Sequence, residues 1–516
     1  MHESAPCTTN CVSFPIKNCA AADTIDGGIG KLFLTLKINL DILWLVVPLL
    51  LGGWMIAVSP FAPDLDIYLH LKTGELIWNA KHWLTHDVFT FTAGRQSEEV
   101  HSWLAQVVLW KVYEAFSVSG LRVLNAVLVF ATGLTLVWRL EKEGLARPLT
   151  GATFLVFLLA HQSVQVIRPL LFGEFFFSLI SLGFLFRLKE KTPWPYLILS
   201  VFLWGNLHGS VLIFLPLLLC YVVCSVRTDC FGFGKAPLWW LAAALAVFLN
   251  PSGFSLLTQA AEIGPIGKSA GIWEWLPRMP LGFSEQAMGV SEFLISTEFS
   301  DLFILCGLFF GIRALRSAII SRNDESLFEA GRLLLFCLLP LSASRHVVFL
   351  ILPAALLGLQ FRTIGFRKNL LVYSSLTFWL AADLARSPSA NDWVPLQNAV
   401  AHLKAGHFRG NLLNFPGWGS YLLFRGYPDW KIMADRRLSV NREYYAFENK
   451  MIEEDGGLRL DRLLARFPDA DAALFHRDAD FTPLTRLGWK AVFTQGEVAL
   501  WMRSDALPSK LARIQP

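Results

Sequence analysis

Apolar runs of membrane-spanning length recur through residues 42–386 and leave this chain little choice of fold. The first covers 42–59, and others lie near 121–139, 150–167, 170–187, 194–209, 210–226, 237–250, 297–313, 326–342, 346–361 and 369–386, about eleven in all. Inside a bilayer each segment must satisfy its own backbone polar groups, so runs of this length become helices. A chain of 516 residues with 54% hydrophobic and only 17% charged positions is also too apolar for a soluble protein. The expected fold is a polytopic α-helical membrane protein.

Lys and Arg set the expected orientation. Arg139, Lys142 and Arg147, then Arg187, Lys189 and Lys191, then Arg227 and Lys235, then Arg313, Arg316 and Arg322, then Arg362, Arg367 and Lys368 occupy loops that alternate with loops poor in basic residues, which puts those five in the cytoplasm. The alternation holds if 101–117 does not cross, and that stretch reads as an amphipathic interfacial helix with Trp103, Trp110 and Tyr113 at headgroup level. The tail 1–41 is then cytoplasmic, loops 60–120 and 251–296 are external, and 387–516 is external as well. The N-terminal stretch shows no cleavage pattern, so the first helix is expected to remain as an anchor.

Beyond residue 387 the apolar runs shrink to strand length. Strands are expected at 411–415, 431–434, 472–476, 490–494 and 498–502, with helices near 396–405, 442–454, 458–466 and 480–487. This is a soluble α/β domain without cysteine. Cys7, Cys11 and Cys19 near the N-terminus have no nearby His beyond His2 and read as reduced thiols. No phosphate-cradling glycine loop, serine-nucleophile motif or nucleic-acid-binding basic stretch occurs.

The densest polar cluster follows the first run: Asp64, Asp66, His70, Lys72, Glu75, His82, His86, Asp87, Glu98, Glu99 and His101. If 67–79 is helical, Asp66 and His70 share a face at i, i+4. A carboxylate beside an imidazole suits general-base work, and the Asp64 and Asp66 oxygens suit a hard divalent cation such as Mg or Mn. The spacing equally fits residues that cap an interfacial helix.

An acidic pair directly after the first helix, interfacial helices in a long first loop and an external C-terminal domain together resemble the GT-C superfamily of membrane glycosyltransferases. The resemblance implies Asp64 and Asp66 as catalytic base or metal ligand, and a sugar donor carried on polyprenyl phosphate. The stretch from Tyr68-Leu69-His70-Leu71-Lys72-Thr73-Gly74-Glu75 to His101-Ser102-Trp103-Leu104, then Gly120-Leu121-Arg122, is similar to the first loop of the protein-mannosyltransferase and lipid A aminoarabinose transferase group. It departs from them in carrying His-Ser-Trp-Leu where they have a Pro-Pro turn. Phe415-Pro416-Gly417-Trp418-Gly419-Ser420-Tyr421 and Ala434-Asp435-Arg436-Arg437 resemble, more faintly, the Trp-Asp-Tyr-Gly segment and downstream Asp of oligosaccharyltransferase catalytic subunits. The first Asp is missing, because Gly419 follows Trp418. The resemblance implies acceptor-side positions at Trp418, Tyr421, Asp435 and Arg436; a Gly-rich turn capping a helix is the competing reading.

Arg168, His208, Arg278, Arg345 and His346 fall at expected outer helix ends, where an ionisable group is costly unless paired or bathed. They are the expected ligands of the donor's lipid phosphate, with snorkelling to lipid headgroups as the alternative. Glu174 lies inside its span, and Asn206, Asn250 and Gly253 mark breaks where a lipid groove can open. The expected function is sugar transfer, with inversion, from a polyprenyl-phosphate donor to an external glycan, lipid or protein at the outer face of a bacterial inner (plasma) membrane. A transporter or polymerase component for lipid-linked oligosaccharide, or a membrane scaffold, is the alternative.

Overall fold

Among the described residues, helices occupy the apolar runs. A computed structural model of the protein describes residues 65–93, 102–161, 167–227, 236–269, 275, 299–343, 346, 349–360, 393–455 and 458–506, all within one compact unit, Trp44–Pro516. The tail 1–41, the runs 42–59 and 369–386, and Asp64, His101, Arg278 and Arg345 lie outside the described residues. The helices are α1 (Asp66–Ala80), α2 (Trp103–Lys142), α3 (Arg147–His161), α4 (Leu170–Ser178), α5 (Trp194–Leu207), α6 (Phe214–Arg227), α7 (Ala236–Ala246), α8 (Ser255–Ser269), α9 (Phe299–Ser321), α10 (Asp324–Ser342) and α11 (Ile351–Gln360). A six-residue π-helical stretch extends α4 through Phe184.

Among the described residues three helical stretches, Trp103–Lys142, Gly209–Arg227 and Ile304–Ser321, are long and apolar enough to cross a membrane; Leu170–Phe184, Trp194–Leu207 and Ala236–Ala246 are apolar but shorter. They mark a membrane protein; of the eleven spans expected, 42–59 and 369–386 lie outside the described residues, and the full number is not confirmed. The helix expected at 101–117 is the first of two that α2 joins across a kink at Ser117, whose φ of 54° and ψ of −150° leave the helical region. Apolar residues fill the space between helices, with Phe177, Trp204, Phe336 and Phe349 wholly or almost wholly buried. At one end Arg139, fully buried, pairs with Glu190 at 2.8 Å, and Arg187 with Glu143 at 2.6 Å. Those arginines are therefore neutralised within the bundle.

The C-terminal part adds α12 (Val394–Ala405), β1 (Gly410–Asn414), α13 (Pro416–Gly426), β2 (Trp430–Ile432), α14 (Arg442–Asp455), α15 (Leu460–Arg466), β3 (Ala472–His476), α16 (Thr482–Arg486), β4 (Lys490–Gln495) and β5 (Val498–Met502). The sheet order is β2-β1-β3-β5-β4, with β2, β1 and β3 parallel and the β4–β5 hairpin antiparallel. Alternation places Leu412, Ala472 and Leu474 on one face and Leu413, Ala473 and Phe475 on the other, and each face has its own core. Helix α13 is not among the helices expected from periodicity, although the competing reading of 415–421 has a turn capping a helix here. Pro416 and Gly417 read as a turn, yet Pro at the first helical position costs no hydrogen bond.

Helix α1 carries two stripes. Ile67 and Leu71 pack on Leu109 and Leu121 of α2, while Leu65 and Leu69 join the core formed by Leu396, Trp418, Leu422 and Ile432. Each buried leucine contributes about 2 kcal/mol, so α1 cements the membrane helices to the C-terminal sheet. The chain beyond α1 reinforces this: Ile432 N donates to Phe89 O at 3.0 Å and Phe91 N to Ile432 O at 3.1 Å, so Thr90 bridges Ile432 in parallel and covers the edge of β2.

Gly74 sets how closely α1 and α2 approach, because a Cβ there would overlap the backbone carbonyl of Gln106. Backbone cannot rotate aside as a side chain can. Gly74→Ala is expected to destabilise the protein by about 1–3 kcal/mol, read as a lower unfolding temperature in detergent; an unchanged temperature would show that the two helices slide apart at no cost.

Candidate active site

A cavity of about 780 Å3 opens between the membrane helices and the C-terminal part, lined among others by Asp66, His70, Arg168, His208, His346 and Arg436. Six residues singled out in the sequence thus face one space. Asp66 begins α1, and Arg168, 102 residues away, reaches it just before α4: Nη2 donates to Asp66 Oδ2 at 3.0 Å. The Ser420 hydroxyl of α13 meets Asp66 Oδ1 at 3.5 Å, the outer limit of a hydrogen bond. One oxygen of the carboxylate is therefore pinned by a cation and the other turned toward the C-terminal part.

His70 stands one turn beyond Asp66, as the i, i+4 spacing implies, within 3.3 Å of Gln106 Nε2. His208 ends α5; its Nδ1 accepts from Ser210 N at 3.0 Å and so caps the turn that follows. Asn206 keeps that break in place by accepting from Trp103 Nε1 and donating to Leu249 O, both at 2.9 Å. His346 Nδ1 lies 3.0 Å from Leu339 O and 3.2 Å from Ser342 Oγ. Lys72 and Glu75 pair with one another at 2.9 Å and do not line the cavity.

The acceptor-side group divides. Trp418 is buried against Phe415 and His476, and Tyr421 packs edge-on against Tyr68; neither lines the cavity. Gly419 faces Asp435 and the Ala434 carbonyl so closely that no side chain fits there. Asp435 is fully buried in a clasp: Arg437 Nη2 lies 2.7 Å from Asp435 Oδ2 and 2.7 Å from Asp87 Oδ1. Asn441 Nδ2 donates to Asp435 Oδ1 and the Tyr445 hydroxyl to Asp435 O, each at 2.9 Å. Arg436 alone of the four lines the cavity.

Sequence reasoning missed Lys268, Arg437, Tyr445 and Glu448, which also line it. The face of the amphipathic 442–454 segment was the available signal for the last two. Burial pushes the Glu448 carboxyl up, against a lowering hydrogen bond from Tyr444. Burial, then the Asp435 and Glu448 carboxylates, push the Tyr445 phenol up, and it lies within electrostatic reach of Arg436 and Asp66. Burial would also raise Asp87, but the Arg437 guanidinium and the Thr90 hydroxyl and amide outweigh it and hold Asp87 below the usual carboxylate range. Among the described residues no group of three or more His, Cys, Asp or Glu side chains is placed to hold a metal ion. Of the acidic pair, Asp66 is engaged by Arg168.

No family model matches this sequence, and no curated protein is similar to it. Solved structures are. The oligosaccharyltransferase of Archaeoglobus fulgidus in its apo form superposes with a TM-score of 0.55 at 11% identity, covering 86% of this chain and 70% of that one. The same enzyme tethered to an acceptor peptide containing the NVT sequon gives 0.55 at 12% identity over 85% and 69%. The archaeal oligosaccharyltransferase AglB with an inhibitory peptide and a dolichol-phosphate gives 0.53 at 11% over 85% and 69%. The chain shares the fold of these archaeal oligosaccharyltransferases.

The clasp yields a prediction. With its folded value depressed, Asp87 contributes stability that is complete above its unfolded value near ~3.9 and is lost as pH falls through the lower folded value. The wild type is expected to keep this contribution from pH 7 to about 4.5 and lose it below about 3.9. Asp87→Asn should lose about 3 kcal/mol at pH 7 by leaving Arg437 half-paired in a buried site, and should flatten the acid limb of a denaturation series. Parallel acid limbs would show that Asp87 takes no part in it.

Proposed function

We propose that this protein is a membrane glycosyltransferase moving a sugar from a polyprenyl-phosphate-linked donor to an acceptor at the outer face of the membrane, with the C-terminal part external. The observation that carries the reading is the Asp66–Arg168 pair on the wall of a cavity that also presents His208, His346 and Arg436. The GT-C-like fold supports it.

Asp66 is the base. Arg168 holds Oδ2 and fixes the plane of the carboxylate, and Oδ1 takes the proton of the acceptor hydroxyl. That oxygen attacks the anomeric carbon from the face opposite the carrier, the bond from carbon to phosphate oxygen breaks, and its electron pair leaves with the lipid phosphate. The product is inverted. Cations and imidazoles on the cavity wall stabilise the departing charge in a partly dry site, where they act more strongly than in water; that His208 and His346 line the cavity supports giving them this role. Leu170, Leu212 and Ile213 line the same cavity and suit a prenyl chain. Asp64 and Arg345 adjoin these residues in the sequence and belong to the same proposal, as does a divalent cation if Asp64 completes its ligands; no step requires one.

The test is sugar transfer by the purified full chain in detergent, with a mixture of polyprenyl-phosphate sugars and cell-envelope acceptors. Asp66→Asn is expected to reduce transfer by about 10²–10⁴-fold while leaving the unfolding temperature near that of the wild type. Arg168→Lys, which keeps the charge and loses the geometry, should lower kcat more than it raises the donor KM. Undiminished transfer by Asp66→Asn removes the carboxylate from the chemistry. Binding and movement of lipid-linked sugar with no transfer by the wild type would mark a transporter.

A further inference from the structure

Four cationic side chains of Arg and Lys line the cavity, and two of them are spoken for. Arg168 pairs with Asp66, and Arg437 with Asp87 and Asp435. Lys268 and Arg436 enter no ion pair among the described residues, and both are exposed. Lys268 stands in the last turn of α8 and Arg436 in the turn that leaves β2, so they come from separate pieces of the chain.

Their convergence is built in. Helix α8 is fastened to the C-terminal part by Ile263, Ile266 and Trp275, which pack against one of the two cores of the sheet. Glu262 adds an ion pair with Arg442 at 2.5 Å. Arg436 is fixed from below, because its neighbours Asp435 and Arg437 are both locked in the clasp. Two like charges that are unpaired among the described residues and face one cavity both gain from an anion bound in it. Leu256, Ile263 and Leu438 line the cavity as well, so a ligand with an anionic head and an apolar body fits the wall.

We propose that Lys268 and Arg436 form a phosphate subsite, distinct from the Asp66–Arg168 pair, that takes the phosphate ester of a lipid. Arg436 offers its planar donors to two oxygens and Lys268 a point charge to a third. The lipid phosphate comes from the polyprenyl carrier or from the headgroup of a membrane lipid. The carrier assignment rests on the transferase reading; the phosphate chemistry does not.

The experiment measures binding to the full chain in detergent by titration calorimetry, with three probes: farnesyl phosphate for the carrier, short-chain phosphatidic acid for a headgroup, and farnesol as the phosphate-free control. Arg436→Gln and Lys268→Gln are each expected to weaken farnesyl phosphate by about tenfold, a loss of ~1.4 kcal/mol, with farnesol unchanged. Arg436→Lys should fall between the wild type and Arg436→Gln. Both variants change exposed side chains, and unfolding temperatures close to the wild type's check that they fold. Weakening confined to phosphatidic acid upholds the subsite and assigns it to a headgroup. Unchanged affinity for both phosphates in both Gln variants, or no binding of either by the wild type, overturns it. The transfer assay separates the two readings: a wild type that transfers no sugar yet binds phosphate through Arg436 sinks the transferase and keeps the subsite. Transfer lost in Asp66→Asn, with phosphate binding indifferent to Arg436 and Lys268, does the reverse.

Discussion

The buried clasp of Arg437 between Asp87 and Asp435 is the interaction on which the rest of this structure depends. One guanidinium satisfies two carboxylates that come from opposite ends of the chain, and all three side chains are at most 8% exposed. An unpaired charge there would be costly, so the segment after α1 and the turn after β2 must stay together. Once they do, the backbone of Phe89 and Phe91 pairs with Ile432, the edge of β2 is covered, and Arg436 is turned to the cavity.

That junction explains how residues far apart in the chain come to share one cavity. Asp66 starts α1, Arg168 precedes α4, His208 ends α5, His346 follows α10 and Arg436 follows β2. The membrane helices supply the carboxylate's partner and the imidazoles, and the C-terminal part supplies the Ser420 hydroxyl and a guanidinium. The cavity thus presents a pinned carboxylate, two cations in Lys268 and Arg436, and Tyr445 in electrostatic reach of both Asp66 and Arg436.

Parts of this arrangement were legible in the chain. Strands β3 and β5 have the limits their apolar runs imply, and α14 lies within a residue of the expected segment. Asp66 and His70 share a face because two residues four apart on a helix must. Other parts were hidden. Nothing near Arg168 in the chain shows that it pairs with Asp66, and nothing near Asp435 shows that Asp87 shares its partner Arg437. Helix α13 was concealed by Pro416, Gly417 and Gly419, which signal a turn locally; Gly419 is required there because the Ala434 carbonyl leaves no room for a side chain.

By itself the sequence determined what depends on neighbours along the chain: which stretches are apolar enough to become membrane helices, where polarity alternates with the period of a strand, and which ionisable residues stand at helix ends. These are local properties, set by the periodicity of side chains and by the need to satisfy every backbone group away from water. Only the tertiary structure decided which charges neutralise one another and which face a cavity. Pairing of Arg168 with Asp66 spans 102 positions and that of Arg437 with Asp87 spans 350, and neither leaves a periodic mark. It depends on burial, because a charge pairs where water has been removed, and water is removed only when the whole chain has packed.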